Sequence, residues 1–343
     1  MCTKPLKGFK YGQTKNGKDS YIIASFDTDH IEISKNGSIV KAKDHFISDT
    51  CKIPVFEYTE IPCGKCLDCR LRYAKLWSDR CMLEAQQYEK NCFVTLTYDD
   101  DHLPKIEAAN PITGEIQRYP TLVKKDLQDF MKRLRKAIPD VKIRYFASGE
   151  YGEKFLRPHY HLIIFNWSPD FTDPLQVMPL SNKKEYYSSY LIEKEWTNGN
   201  NVVAPCTWET CNYVARYVVK KYPHEKNEIY ETGIQKEFVT MSRKPGIGLE
   251  WLNSHYVCYA TFLHQYLKTE NGSIKVSPNR YFDTKMEDID PEVMEEIKRI
   301  RKEFSKETKK AKYFQSDLSY LDQLQVEAAN LERKTKILKG QII

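Results

Sequence analysis

GEYGEKFLRPHYHLIIFNW, residues 149–167, closes one apolar β-like run and opens another across a short polar turn. The run before it, VKIRYFASGE (141–150), and the run within it, HYHLIIF (159–165), are rich in β-formers. The turn-rich YGEKFLRP (151–158) between them predicts an antiparallel hairpin. On a strand, residues i and i+2 share a face, so His159 and His161 project to one side while Tyr160 and Leu162 project to the other. Two imidazoles on one face suit a divalent cation with open positions (Mn, Mg, Zn or Fe), and equally suit plain hydrogen-bonding roles in a core. Glu150 ends the first run, and a hairpin returns its carboxylate beside the histidines as a hard oxygen ligand. The competing reading pairs Glu150 with Arg157 at the turn.

Outward from this hairpin the pattern is regular. Upstream, CFVTLTY (92–98) alternates Phe93, Thr95 and Thr97 against Cys92, Val94, Leu96 and Tyr98, the period of a strand. TLVKKDLQDFMKRLRKAI (121–138) then places Val123, Leu127, Phe130, Met131, Leu134 and Ile138 at helical spacing. Downstream, the Tyr-rich polar insertion SNKKEYYSSYLIEKEWTNGNN (181–201) precedes a predicted helix, TWETCNYVARYVVKKY (207–222), and a strand, EFVTMSR (237–243). Strand, helix, strand, strand, helix, strand predicts an α+β fold with a ferredoxin-like or split βαβ core on an antiparallel sheet.

The second predicted helix carries Tyr213 and Tyr217 four residues apart, one above the other on one face, with Lys220 on the same stripe. Trp208, Cys211, Val214, Ala215, Val218 and Val219 gather on the broadly opposite side. The helix can therefore bury its Val-rich face while offering both phenols elsewhere. An ordinary phenol, with a pKa of about 10, needs a nearby cation to act as a nucleophile; Lys220, with Lys221 beside it, is the local candidate. The simpler alternative is a pair of large core residues.

Earlier in the chain, PCGKCLDCR (62–70) sets Cys63, Cys66 and Cys69 at CxxCxxC spacing, with Cys51 and Cys81 each twelve residues away as a possible fourth ligand. Thiolates so spaced can wrap one tetrahedral Zn2+, or form a reduced stripe on a helix face. Tyr73 stands where a ferredoxin pattern wants a further cysteine, which disfavours an iron–sulfur cluster. MSRKPGIG (241–248) puts Arg243 and Lys244 before a Pro-Gly turn, a loop able to meet DNA phosphates.

The totals constrain these readings. With 343 residues the chain can bury a sizeable core. Lys and Arg outnumber Asp and Glu by 53 to 47, which permits a polyanionic partner without demanding one. No run has the roughly 20 apolar residues of a membrane span, and MCTKPLKGFKYGQTK lacks an export signal, so a cytoplasmic protein with reduced cysteines and no membrane partner is expected. The organisation predicted is an N-terminal region with the Cys-rich element (1–88), a central domain (89–260) and a charged, mostly helical C-terminal extension (261–343).

The ordered blocks PCGKCLDCR, FVTLTYDDDHLP, EYGEKFLRPHYHLIIF, YVARYVVKK and MSRKPGIG resemble the replication initiation proteins of the Microviridae, of gokushovirus type, within the HUH endonuclease superfamily. The resemblance covers roughly residues 60–255. It implies an antiparallel-sheet HUH endonuclease domain that nicks origin DNA by rolling-circle chemistry. By the same resemblance, His159 and His161 bind Mg2+ or Mn2+, Glu150 matches an acidic third ligand, and Tyr213 and Tyr217 are the nucleophiles. One tyrosine makes a 5′-phosphotyrosine link, and the second recuts the regenerated origin so that closed unit circles are released. The implied partners are single-stranded and replicative-form origin DNA in the host bacterial cytoplasm, a host polymerase and, since no GxxxxGK[ST] loop is present, a host helicase. A single-strand transposase or relaxase on the same scaffold, or a non-catalytic zinc-bearing DNA-binding protein, are the alternative readings.

Overall fold

Alternation of buried and exposed side chains across Asn91–Tyr98 makes this segment the first strand of a seven-stranded antiparallel sheet in a computed structural model of the chain. The structure describes residues 2–340 apart from 16, 18, 153–154, 170–175, 179–185, 221–227, 262–264, 270–271, 277 and 315; for 217–220 and a few other helix and strand positions it describes the backbone only. In the sheet, strands run in the order Gln176–Met178, Tyr186–Ser188, Gly199–Pro205, Asn91–Tyr98, Pro158–Phe165, Arg144–Tyr151 and Phe238–Met241. The predicted hairpin forms in the register Glu150 opposite His159 and Ser148 opposite His161.

The split βαβ half of the expected core is present. Asn91–Tyr98 and Arg144–Tyr151, joined through the helix Lys124–Ala137, both lie antiparallel to Pro158–Phe165 between them. The second half departs from the ferredoxin-like arrangement. The place beside Asn91–Tyr98 is occupied by Gly199–Pro205, a strand that the sequence pattern hides beside a polar insertion, with Gly199 opposite Tyr98 and Pro205 opposite Cys92. Phe238–Met241 therefore pairs at the other edge, with Arg144–Tyr151. The two main helices consequently cover opposite faces of the sheet.

Helix Lys124–Ala137 buries Leu127, Phe130, Met131 and Leu134, the predicted i, i+3, i+4, i+7 stripe, against Val94, Leu96, Tyr160, Leu162 and Ile164. Its first turn is fastened by phenols: Tyr98 donates to Asp126 (2.6 Å), and Val123 N–H donates to the Tyr160 hydroxyl (2.9 Å). On the other face, Cys211 and Val214 of helix Trp208–Lys220 pack with Phe93, Phe146, Ile163 and Phe165, joined by Cys81 and Ala85 of helix Leu67–Ala85. Where the sequence suggested only a punctuated loop, Lys105–Ala109 and Ile116–Pro120 pair as a small separate hairpin.

The chain divides into two compact units, one of residues 1–72 with 308–343 and one of residues 73–307. The smaller unit holds two three-stranded antiparallel sheets, Asp19–Ala24, Leu6–Gln13 and Tyr58–Ile61 in one, Ile39–Ala42, His30–Ser34 and Cys51–Val55 in the other. They enclose Phe9, Ala24 and Ile31. In the same unit, Tyr320 and Lys309 both donate to Glu60 (2.8 and 2.7 Å). Within the larger unit, Met294 and Ile297 from the charged segment 284–307 are buried against Phe282 and Trp251, so its sparse apolar positions are packing positions. No helix among the described residues is long and apolar enough to cross a membrane.

Candidate functional site

His159 and His161 stand on the sheet face that carries helix Trp208–Lys220, and the neighbouring strand meets each ring with a threonine. Thr97 Oγ1 lies 3.0 Å from His159 Nδ1 and Thr95 Oγ1 lies 2.9 Å from His161 Nδ1, the pairs fixed by cross-strand register. When Nδ1–H donates to the threonine, the Nε2 lone pair of each ring is turned to the site. These threonines were not assigned a role from the sequence; their signal is the TLT alternation, which places both on one strand face. Tyr160, between the histidines, points to the other face and fastens the helix there, its hydroxyl pushed up to about 12, chiefly by burial.

Glu150 Oε1 lies 2.6 Å from His161 Nε2, and both side chains are buried. The alternative partner is engaged elsewhere: Arg157 donates to the Tyr98 carbonyl (2.7 Å) and to Asp100. A contact between an imidazole nitrogen and a carboxylate needs a proton between them, and a divalent cation is the other species that can fill that position. Gly152 leaves room at the second ring, since a β-carbon there would stand 3.1 Å from His159 Nε2. Two imidazole nitrogens and one carboxylate oxygen are a fitting donor set for Mg2+ or Mn2+, although the three side chains are not gathered into one tight cluster: the two rings are 6.3 Å apart. Ser148, opposite His161, is fully buried and its hydroxyl has no hydrogen-bond partner among the described residues.

Helix Trp208–Lys220 brings the first predicted phenol to this point. Its Cys211, Val214 and Ala215 are fully buried, as the apolar set predicts, whereas Tyr213 is 36% exposed. The Tyr213 ring meets His161 edge-on at 5.0 Å and Phe93 at 6.0 Å, and Phe93 stacks on His161 at 5.9 Å. Tyr217 and Lys220 follow on the same helix, but their side chains lie outside the described residues, as does all of Lys221.

Arg243 and Lys244 are exposed, but they are not beside the histidines. They follow the edge strand that pairs Met241 with Phe146, toward the Arg144 end of the sheet, whereas Glu150 lies at the other end. At about 3.3 Å per residue this places them roughly 15–20 Å along the strand from the site. Their loop is held from beneath: Arg80 donates to the Ile247 carbonyl (3.1 and 2.7 Å), Arg144 to the Pro245 carbonyl (2.8 Å), and Gly248 N–H to Glu84 (2.6 Å).

Burial, with His161 second, pushes the His159 imidazole below its ordinary 6.5. Histidine-selective NMR on the metal-free protein is expected to give a His159 midpoint below 6.5. Because the unfolded chain then binds the extra proton first, this residue's neutral form supports the fold fully above 6.5, and that support is lost as pH falls from 6.5 toward the folded midpoint. A midpoint at or above 6.5 contradicts the buried setting of the ring.

A different cluster lies in the smaller unit. Among the described residues, Cys2, Cys63, Cys66 and Cys69 alone form a group of potential ligands whose donor atoms all lie within 4.8 Å of one another, and such a group can hold a metal such as zinc. Cys51 and Cys81, the fourth ligands considered from spacing, are elsewhere: Cys51 begins a strand opposite Ser34, and Cys81 is in the core of the larger unit. Cys2 was missed because it is 61 residues from Cys63.

A family model described as replication-associated protein ORF2 matches residues 91–222, from the first strand of the large sheet through the tyrosine helix. The chain is 34% identical over 224 residues to the replication-associated protein VP4 of Bdellovibrio phage phiMH2K, covering 65% of this chain and 66% of that protein. It is 31% identical over 345 residues to the replication-associated protein ORF2 of Spiroplasma virus 4, covering 98% and 97%. Replication-associated protein ORF4 of Chlamydia phage 1 is 30% identical over 217 residues, 61% of this chain and 48% of that one. The match therefore spans just under two thirds of the Bdellovibrio phage protein and about half of the Chlamydia phage protein. No solved structure matches the chain.

Proposed function

This chain belongs to the replication-associated proteins of Microviridae-like phages, and we propose that it starts rolling-circle replication as an HUH-type nickase and strand-transfer ligase. The observation that carries this reading is the meeting of three elements at one point: Glu150 and His161 in contact across a hairpin, with the exposed Tyr213 ring set edge-on against the same imidazole.

In this reading His159, His161 and Glu150 hold Mg2+ or Mn2+, which when bound polarises the scissile phosphate and offsets its charge. Thr95 and Thr97 keep both Nδ1 atoms occupied, so that Nε2 is the donor at each ring. Tyr213 or Tyr217 loses its phenolic proton and its oxygen attacks phosphorus. The bond to the 3′ oxygen breaks, the 5′ phosphate remains on the tyrosine, and the departing oxygen takes up a proton as a 3′-hydroxyl. Attack by a later 3′-hydroxyl on the same phosphotyrosine reverses these bond changes and reseals the strand without ATP. Two phenols one helical turn apart allow one to stay esterified while the other cuts the regenerated origin. Lys220 follows on the same helix to offset charge on the transferring phosphate. Arg243 and Lys244, set well away from the histidines, contact the DNA backbone beyond the cleavage point. The substrate is single-stranded or replicative-form origin DNA in the host cytoplasm, and strand separation and synthesis are left to host helicase and polymerase.

The test is incubation of the full chain with single-stranded circular DNA bearing the cognate origin, with Mn2+, followed by denaturing electrophoresis. A protein–DNA species that resists denaturant and disappears on nuclease treatment is expected. Tight DNA binding with no such species favours the non-catalytic binding protein instead.

A further inference from the structure

The four-cysteine group is a consequence of strand pairing. Leu6 lies opposite Ile61 where the strands Leu6–Gln13 and Tyr58–Ile61 meet, so the segments leading out to Cys2 and Cys63 leave the same end of one ladder. Cys63 N–H then donates to Cys2 Sγ (3.3 Å). The turn that follows folds around sulfur: Gly64 adopts φ +73, a conformation suited to glycine, and the N–H groups of Lys65 and Cys66 both point at Cys63 Sγ (3.4 and 3.3 Å). At the start of the next helix, Cys69 N–H points at Cys66 Sγ (3.5 Å).

The spacing of the sulfurs specifies the chemistry. Cys2 Sγ and Cys66 Sγ are 3.8 Å apart. A disulfide would bring two sulfurs to about 2.05 Å. A tetrahedral Zn2+ with bonds of about 2.3 Å sets its sulfurs about 3.8 Å from one another. Backbone N–H groups directed at sulfur are the partners that thiolate ligands take in such sites. All four ligands come from the protein, so no position is left open for water or substrate, the mark of a structural centre.

We propose that Cys2, Cys63, Cys66 and Cys69 bind one structural Zn2+ that staples both ends of the N-terminal β-ladder to the start of the helix Leu67–Ala85. The smaller unit encloses only a modest apolar core around Phe9, Ala24 and Ile31, which is the situation in which a metal staple adds most. This inference does not depend on the nicking reaction: zinc binding and nuclease activity are measured separately.

The full chain, expressed with zinc and purified without chelator, is expected to contain about one zinc per molecule by plasma mass spectrometry. Co2+ substitution is expected to give the intense visible bands of a tetrahedral four-thiolate site. Cys2→Ser and Cys66→Ser are each expected to weaken zinc binding at least about 100-fold, while Cys51→Ser binds as the wild type does. Since a serine variant can fail to fold, Cys2→His serves as the companion: it keeps zinc, and its Co2+ spectrum shifts toward that of a three-thiolate, one-imidazole site. Folded protein free of zinc and indifferent to chelator overturns the proposal. So does full zinc retention in Cys2→Ser, or stoichiometric iron in place of zinc.

Discussion

Phenylalanine at both Tyr213 and Tyr217 is expected to abolish the covalent protein–DNA species and to lower nicking by at least about 10⁴-fold, a loss of the size seen when a nucleophile is removed. DNA binding and the melting temperature are expected to change little. Tyr213 is partly exposed and its ring meets only the edges of His161 and Phe93, so loss of one hydroxyl opens no cavity. Each single variant distinguishes the two phenols: the tyrosine that cuts first is the one whose replacement removes the first-turnover adduct. The other replacement leaves that adduct and blocks release of closed circles. Persistence of the adduct in the double variant would place the nucleophile on another residue. A double variant that no longer binds DNA would make the phenols binding groups.

Glu84→Ala is expected to destabilise the larger unit by about 3–5 kcal/mol, the cost of removing one partner from a buried ion pair. Glu84 is fully buried; its carboxylate accepts from Arg144 and from the Gly248 N–H. Alanine strands the buried guanidinium and the amide together, and nothing nearby can replace two charge-assisted bonds. Because Arg144 also holds the Pro245 carbonyl, the loop that carries Arg243 and Lys244 loosens with it. Urea unfolding followed by tryptophan fluorescence measures the loss. Glu84→Leu combined with Arg144→Met is expected to recover much of it, since the isolated charge is then gone. A loss below about 1 kcal/mol in Glu84→Ala would show that water reaches Arg144 and that the pair is not the anchor described.

Period-two and period-3.6 patterns account for what could be read without coordinates. The strand at 92–98, the helix with Leu127, Phe130, Met131 and Leu134, the hairpin on either side of YGEKFLRP, and the helix with Tyr213 on its exposed face are all local: each depends on which side of its own backbone a residue occupies. Gly199–Pro205 was not legible because NVVAP is short and follows a polar insertion, and a strand of that length is defined by its neighbour rather than its composition. Missing it also misplaced the final strand, because the edge where a ferredoxin-like fold would set Phe238–Met241 was already occupied.

For the site, the sequence by itself determined the identities and faces: two imidazoles on one side of a strand, a carboxylate at the end of its hairpin partner, phenols one turn apart, and three cysteines at ligand spacing. Side-chain periodicity is a property of one segment, so one segment suffices to reveal it. Only the tertiary structure decided that Glu150 meets His161 rather than Arg157, that Thr95 and Thr97 orient the rings, that Tyr213 lies against the same histidine, that Arg243 and Lys244 sit away from it, and that Cys2 joins the other three cysteines. Each of these depends on the register between strands or on which helix covers which face. Register is set by the packing of many side chains across the whole sheet, and no single stretch of the chain contains it.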